Sequence, residues 1–116
     1  MCLILLSGCA NRPSIAARAT VENFYGAVQN DNLDLLDDNL AAMASPQFRE
    51  QVHTTAAAAQ LNPDVRRSVQ VVTIGPPSID ASSARVQVDF ANGQSNTVTL
   101  VREGLRWKVL TTGTLG

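Results

Sequence analysis

Apolar positions along this chain follow two different periods, one in each half. Ala17, Val21, Phe24 and Val28 recur at steps of four, three and four residues. That spacing is one face of a helix, which the pattern predicts from an N-cap at Ser14 to about Gln29. Asn30-Asp31-Asn32 interrupts the stripe, and Asp31 or Asn32 can cap the next helix. Leu33, Leu36, Leu40 and Met43 repeat the helical step, with Asp34, Asp37 and Asp38 on the other side. Ser45-Pro46 then supplies an N-cap and a first-turn proline for a third helix. Its inward positions are Phe48, Val52, Ala56 and Ala59, and Leu61-Asn62-Pro63 ends it.

The second half alternates instead. Val69, Val71, Val72 and Ile74 predict a first strand, stopped by Gly75-Pro76-Pro77. Ala84, Val86, Val88 and Phe90 alternate with Arg85, Gln87 and Asp89, as a half-buried strand requires. Thr97 to Arg102 and Leu105 to Thr111 complete four strands. A three-residue loop, Ala91-Asn92-Gly93, pairs Val86 with Val98 and Ala84 with Leu100. A two-residue Asn92-Gly93 loop would oppose Val86 to Thr99, so the buried face selects the longer loop. A tight Glu103-Gly104 turn would then pair Leu100 with Trp107 and Val98 with Val109. The apolar face becomes Ala84, Val86, Val88, Val98, Leu100, Trp107 and Val109. The opposite face, with Arg85, Gln87, Asp89, Thr97, Thr99, Arg106 and Lys108, is expected to meet water. Helices followed by strands, rather than alternating with them, predict an α+β fold.

Composition narrows the reading. A chain of 116 residues holds one domain, and 45% of it is apolar. Fifteen of those apolar residues are Ala and only five residues are aromatic, so Val and Leu must build the core. The net charge of −1 argues against an electrostatic nucleic-acid partner. Cys2 and Cys9, the two cysteines, both precede the predicted helices, so no disulfide framework is expected.

The N-terminus carries a second kind of signal. Met1-Cys2-Leu3-Ile4-Leu5-Leu6-Ser7-Gly8-Cys9-Ala10 places small residues after an apolar stretch, as at a signal-peptidase site. Leu6-Ser7-Gly8-Cys9 resembles the lipobox of bacterial lipoproteins. The resemblance implies cleavage between Gly8 and Cys9, and lipidation of Cys9. Residues 1–8 are then a signal-peptide remnant, 9–14 a lipidated tether, 15–112 the domain and 113–116 a tail. No Lys or Arg precedes the apolar stretch and the stretch is short, which a start upstream of Met1 would account for. A lipid anchor at Cys9 would hold the domain outside the cytoplasm, on the bacterial cell membrane.

About three helices packed on a curved, four-stranded antiparallel sheet resembles the nuclear-transport-factor-2-like fold (cystatin-like or SnoaL-like cone). The resemblance rests on Val21-Glu22-Asn23-Phe24-Tyr25-Gly26-Ala27-Val28-Gln29-Asn30-Asp31-Asn32-Leu33-Asp34 as the opening helix and turn. It rests also on Thr97 to Val109 as the closing hairpin, with Trp107 packed into the cone. Steroid isomerases of this fold carry a Tyr oxyanion donor where this chain has Phe24. Their carboxylate base, just before a Pro, falls on Ser45. Neither residue can do that work, Ser45 for want of a partner base. Tyr25 is expected to point off the apolar stripe and Asp89 to the polar sheet face, so an isomerase-type activity is disfavoured and the protein is read as not an enzyme.

Other chemistry is sparse. His53, the one histidine, has only Glu50 near it at helical spacing, too few ligands for a metal, and reads as a surface residue. Neither a metal nor another cofactor is expected. Five acids (Glu22, Asp31, Asp34, Asp37, Asp38) and no Lys or Arg lie between Ala19 and Phe48, which reads as a solvated helix face. Phe24, Val28, Val86, Val88, Val98, Leu100 and Trp107 either line an apolar pocket inside the cone or fill it. The expectation is a non-enzymatic binding or protein-interaction module of the cell envelope, with an envelope protein as partner. The alternative is a carrier of a small apolar ligand, or a cryptic enzyme, using the cone.

Overall fold

A computed structural model describes residues 2–113, with side chains from Arg12 onward. Four helices pack on a five-stranded antiparallel sheet, an α+β arrangement. The helices are α1 (Cys2–Asn30), α2 (Leu33–Asp38), α3 (Pro46–Leu61) and α4 (Pro63–Ser68). The strands are β1 (Val71–Ile74), β2 (Ser78–Asp80), β3 (Ser83–Phe90), β4 (Ser95–Glu103) and β5 (Arg106–Thr111). The sheet runs β1-β3-β4-β5, and β2 also pairs with β3, beyond the end of β1.

The helical stripe of α1 is buried as its spacing requires: Ala17, Val21, Phe24 and Val28 are all fully inaccessible. The helix begins at Cys2 rather than at Ser14, and it contains Pro13. A proline removes one helical hydrogen bond and discourages the helix before it without forbidding it. The C-terminal end of α1 is capped from other elements. The Gln29 carbonyl accepts from Gln60 Nε2 at 2.6 Å and from an Arg66 guanidinium nitrogen at 2.8 Å.

The second helix is shorter than its apolar spacing predicts. Asn32 caps it, its side chain accepting from Leu35 N–H, but it stops at Asp38. The next residues leave the helix to close the open edge of β5. Val109 N–H donates to Asn39 O at 2.7 Å, Ala41 N–H donates to Val109 O at 2.8 Å, and Leu40 bridges Val109 in parallel. Two sheet hydrogen bonds replace the helical ones, Leu40 is buried, and Met43 ends up exposed. The third helix follows expectation, with Ser45 Oγ accepting from Phe48 N–H at 3.1 Å and Pro46 in the first turn. A fourth helix was not anticipated, because Asn62-Pro63 reads as a stop. It is also a start: Asn62 Oδ1 accepts from Asp64 N–H and Pro63 presets the first turn.

The first hairpin keeps the expected register, Val86 opposite Val98 and Ala84 opposite Leu100. Gly93 N–H donates to Phe90 O, and Gly93 takes the left-handed conformation at φ +86°. The second hairpin does not. Its turn is Gly104-Leu105, so Leu100 opposes Val109 and Arg102 opposes Trp107. Gly104, at φ +64°, occupies the first turn position, where a two-residue turn with a single positive φ needs its glycine. A Glu103-Gly104 turn would put Glu103 at that position instead. The displacement is two residues from Leu100 to Glu103, so the side chains up to Val109 keep their faces; a bulge between Thr99 and Leu100 adds one more, and Thr112 rather than Thr111 is buried. Ala84, Val86, Val88, Val98, Leu100, Trp107 and Val109 are all buried together against the helices.

Candidate functional site

The seven side chains expected to line or fill the cone interior all belong to one core. Phe24, Val28, Val86, Val88, Val98 and Leu100 are fully inaccessible and Trp107 is 3% exposed. Phe24 is packed by rings on two sides, with Tyr25 edge-on at 4.9 Å and Phe48 stacked at 6.5 Å between centroids. Trp107 receives the Arg102 guanidinium over its ring at 5.4 Å, and Thr20 Oγ1 donates to the Trp107 carbonyl at 3.2 Å. These contacts bind α1, α3 and the sheet into one packed layer.

The isomerase-related positions sit as follows. Phe24 lies in this core, and Ser45 is engaged as the N-cap of α3. Asp89 is on the sheet face away from the helices, where its carboxylate accepts from Ser95 Oγ at 2.7 Å. Tyr25 corrects the sequence expectation. It is buried, 2% exposed, wedged edge-on against Phe24 and Phe90. Among the described residues its hydroxyl has no hydrogen-bond partner. Burial also pushes the phenol far above its ordinary pKa, so the group stays a neutral donor.

Asp37 and Asp38 of α2 have partners inside the chain. His53 Nε2 lies 2.8 Å from an Asp37 carboxylate oxygen, joining α3 to α2. Sequence spacing pointed to Glu50 and missed Asp37, which is brought close only by the packing of two helices. Asp38 takes Arg106 in a two-pronged pair, and Lys108 approaches its carboxylate at 3.7 Å. The hydrogen bond from Arg106, then the charges of Lys108 and Arg106, hold the Asp38 carboxyl below the usual range. Among the described residues no group of three or more His, Cys, Asp or Glu side chains gathers around a common centre.

A recess opens away from the core, between α1 and β1, with a volume of about 410 Å³. Arg18, Glu22, Tyr25, Gly26 and Gln29 form its helical wall, and all four residues of β1 form the other. A second hollow of about 230 Å³ extends along the same stripe to Ile15, sharing Arg18 and Glu22. Sequence reading missed this feature. Its one visible sign is Gly26, a glycine within an otherwise regular helix, around which a Cβ would find nothing within 4 Å.

Neither a family model nor a curated protein matches the chain. No helix among the described residues is long and apolar enough to cross a membrane. The side chains of the Leu6-Ser7-Gly8-Cys9 segment lie outside those described.

Proposed function

We propose that this protein is a lipoprotein of the bacterial cell envelope, anchored outside the cytoplasm through Cys9, whose nuclear-transport-factor-2-like domain binds a protein partner and catalyses no reaction. The observation that carries the interaction reading is the filled interior. The side chains that would have to stand apart to make a carrier's pocket are 0–3% exposed and packed on one another. A ligand of any size would have to displace them, at the cost of the contacts that hold a small domain together. The anchor reading is supported by Leu6-Ser7-Gly8-Cys9 alone. Acyl chains contribute about 0.8 kcal/mol per buried methylene, so a doubly acylated cysteine holds a domain firmly at a bilayer.

Native mass spectrometry of the protein released from host membranes tests both parts. The expected result is a chain beginning at Cys9 with added acyl mass, accompanied by a protein partner. A Cys9→Ala protein that still partitioned fully with membranes would overturn the anchor. Co-purification of a small apolar molecule with no protein partner would transfer the assignment to the carrier reading.

A further inference from the structure

The two edges of the sheet are treated differently. β5 is closed by Asn39–Ala41, whereas among the described residues no strand or segment pairs with β1 on the side away from β3. The recess beside α1 borders that open edge. Its wall includes four consecutive residues, Val71 to Ile74. Contact with all four, across the bulge between Val71 and Thr73, sets the recess along the whole length of β1.

The opposite wall is one stripe of α1, from Arg18 to Gln29. Eleven helical rises of about 1.5 Å make it about 16 Å long. An extended chain of about five residues spans that length at about 3.3 Å each. Along the stripe, Arg18 and Glu22 lie four residues apart, and neither makes an ion pair or side-chain hydrogen bond among the described residues. Val72, 60% exposed, stands beside them on β1. Tyr25 also lines the recess, but its hydroxyl is closed off from it, buried without a hydrogen-bond partner among the described residues.

We infer that this recess binds a short extended peptide segment of a partner protein, added as a strand to the outer edge of β1. Backbone amides of the segment pair with β1, and apolar side chains cover Val72. Arg18 and Glu22 select a segment carrying both an acid and a base. A peptide fits all of these groups together, because it supplies donors and acceptors at strand spacing as well as side chains. β1 is four residues long, has a bulge between Val71 and Thr73, and is followed by Pro76 and Pro77, so it admits one short segment and not an open stack of strands. This inference rests on the interaction reading above and supplies its site and the class of its partner.

The test pans a phage library of random heptapeptides against the full chain, then measures binding of the selected synthetic peptides by fluorescence anisotropy and amide hydrogen exchange. The expected result is selected peptides that slow exchange at Val72 to Ile74. Gly26→Leu, which fills the recess, is expected to weaken binding about tenfold or more, and Gly26→Ala to retain most of it. Arg18→Glu, which reverses one of the two selecting charges on an exposed helix position, is expected to weaken it a few-fold without unfolding the protein. Failure to select any peptide, protection confined to other amides, or full binding by a folded Gly26→Leu protein would overturn the inference. So would a dimer in sedimentation that buries β1, since a second copy would then own the edge. If Gly26→Leu does not fold, the exchange pattern and Arg18→Glu decide. None of these outcomes depends on Cys9, so a failed anchor and a failed peptide site remain distinguishable.

Discussion

Tyr25 combines a tightly packed ring with an unsatisfied polar atom. Its ring is held by Phe24 and Phe90, while its hydroxyl is buried without a partner among the described residues. An unsatisfied buried hydroxyl costs about 1–3 kcal/mol, whereas the ring itself contributes through burial. Tyr25→Phe keeps the ring and removes the penalty, so it is expected to stabilise the isolated protein by about 1 kcal/mol in urea titration. The pH dependence has a defined sign. The folded pKa is raised by burial, so the stability held below the unfolded value near 10 declines as pH rises past it, because only the unfolded chain releases the proton. Tyr25→Phe is expected to flatten that alkaline decline. A loss of stability on removal of the hydroxyl would mean that it has an acceptor in solution.

Among the elements, those whose local chemistry and buried face agreed were legible in the sequence. The first hairpin was one: the Ala91-Asn92-Gly93 loop and the Val86–Val98 pairing demand each other, and both are present. The second hairpin was not, because moving its turn from Glu103-Gly104 to Gly104-Leu105 shifts the pairing by two residues and leaves the side chains from Leu100 to Val109 on the same faces. Only the conformation of Gly104 decides between them. The end of α2 was hidden for another reason. Leu33, Leu36, Leu40 and Met43 keep helical spacing, yet the competing hydrogen bonds come from Val109, about seventy residues away in sequence. Tyr25 and the recess depended on where β1 falls against α1, which no local pattern encodes. Two glycines test this account with one substitution each. Gly104→Ala forces a side chain to φ +64° and is expected to cost about 1–2 kcal/mol. Gly26→Ala, in mid-helix with nothing within 4 Å of the new methyl, is expected to add up to about 1 kcal/mol. Equal effects, measured as urea midpoints, would undo the assignment of the turn.

At the scale of the whole molecule, the question is how a chain with five aromatic residues holds one core. It does so by placing medium aliphatic side chains where both the helices and the sheet reach them. Leu100 is the clearest case, at 0% exposure on β4, between β3 and β5 and beneath the helices. Leu105 has the same side chain at the tip of the neighbouring hairpin, 91% exposed. Replacing a buried leucine by alanine costs about 2–5 kcal/mol, through lost burial and the cavity left behind. A small domain has only about 5–15 kcal/mol to lose. Leu100→Ala is therefore expected to lower the urea midpoint steeply, to the point where part of the protein is unfolded without denaturant if total stability lies at the low end. Leu105→Ala is expected to stay within about 0.5 kcal/mol of the parent. A core loose enough to adapt, with room for a ligand in its interior, would relax around Leu100→Ala and shrink the gap between the two variants. A gap of several kcal/mol with an unchanged denaturant slope would identify a filled, cooperative interior, and that is the property on which the interaction reading depends.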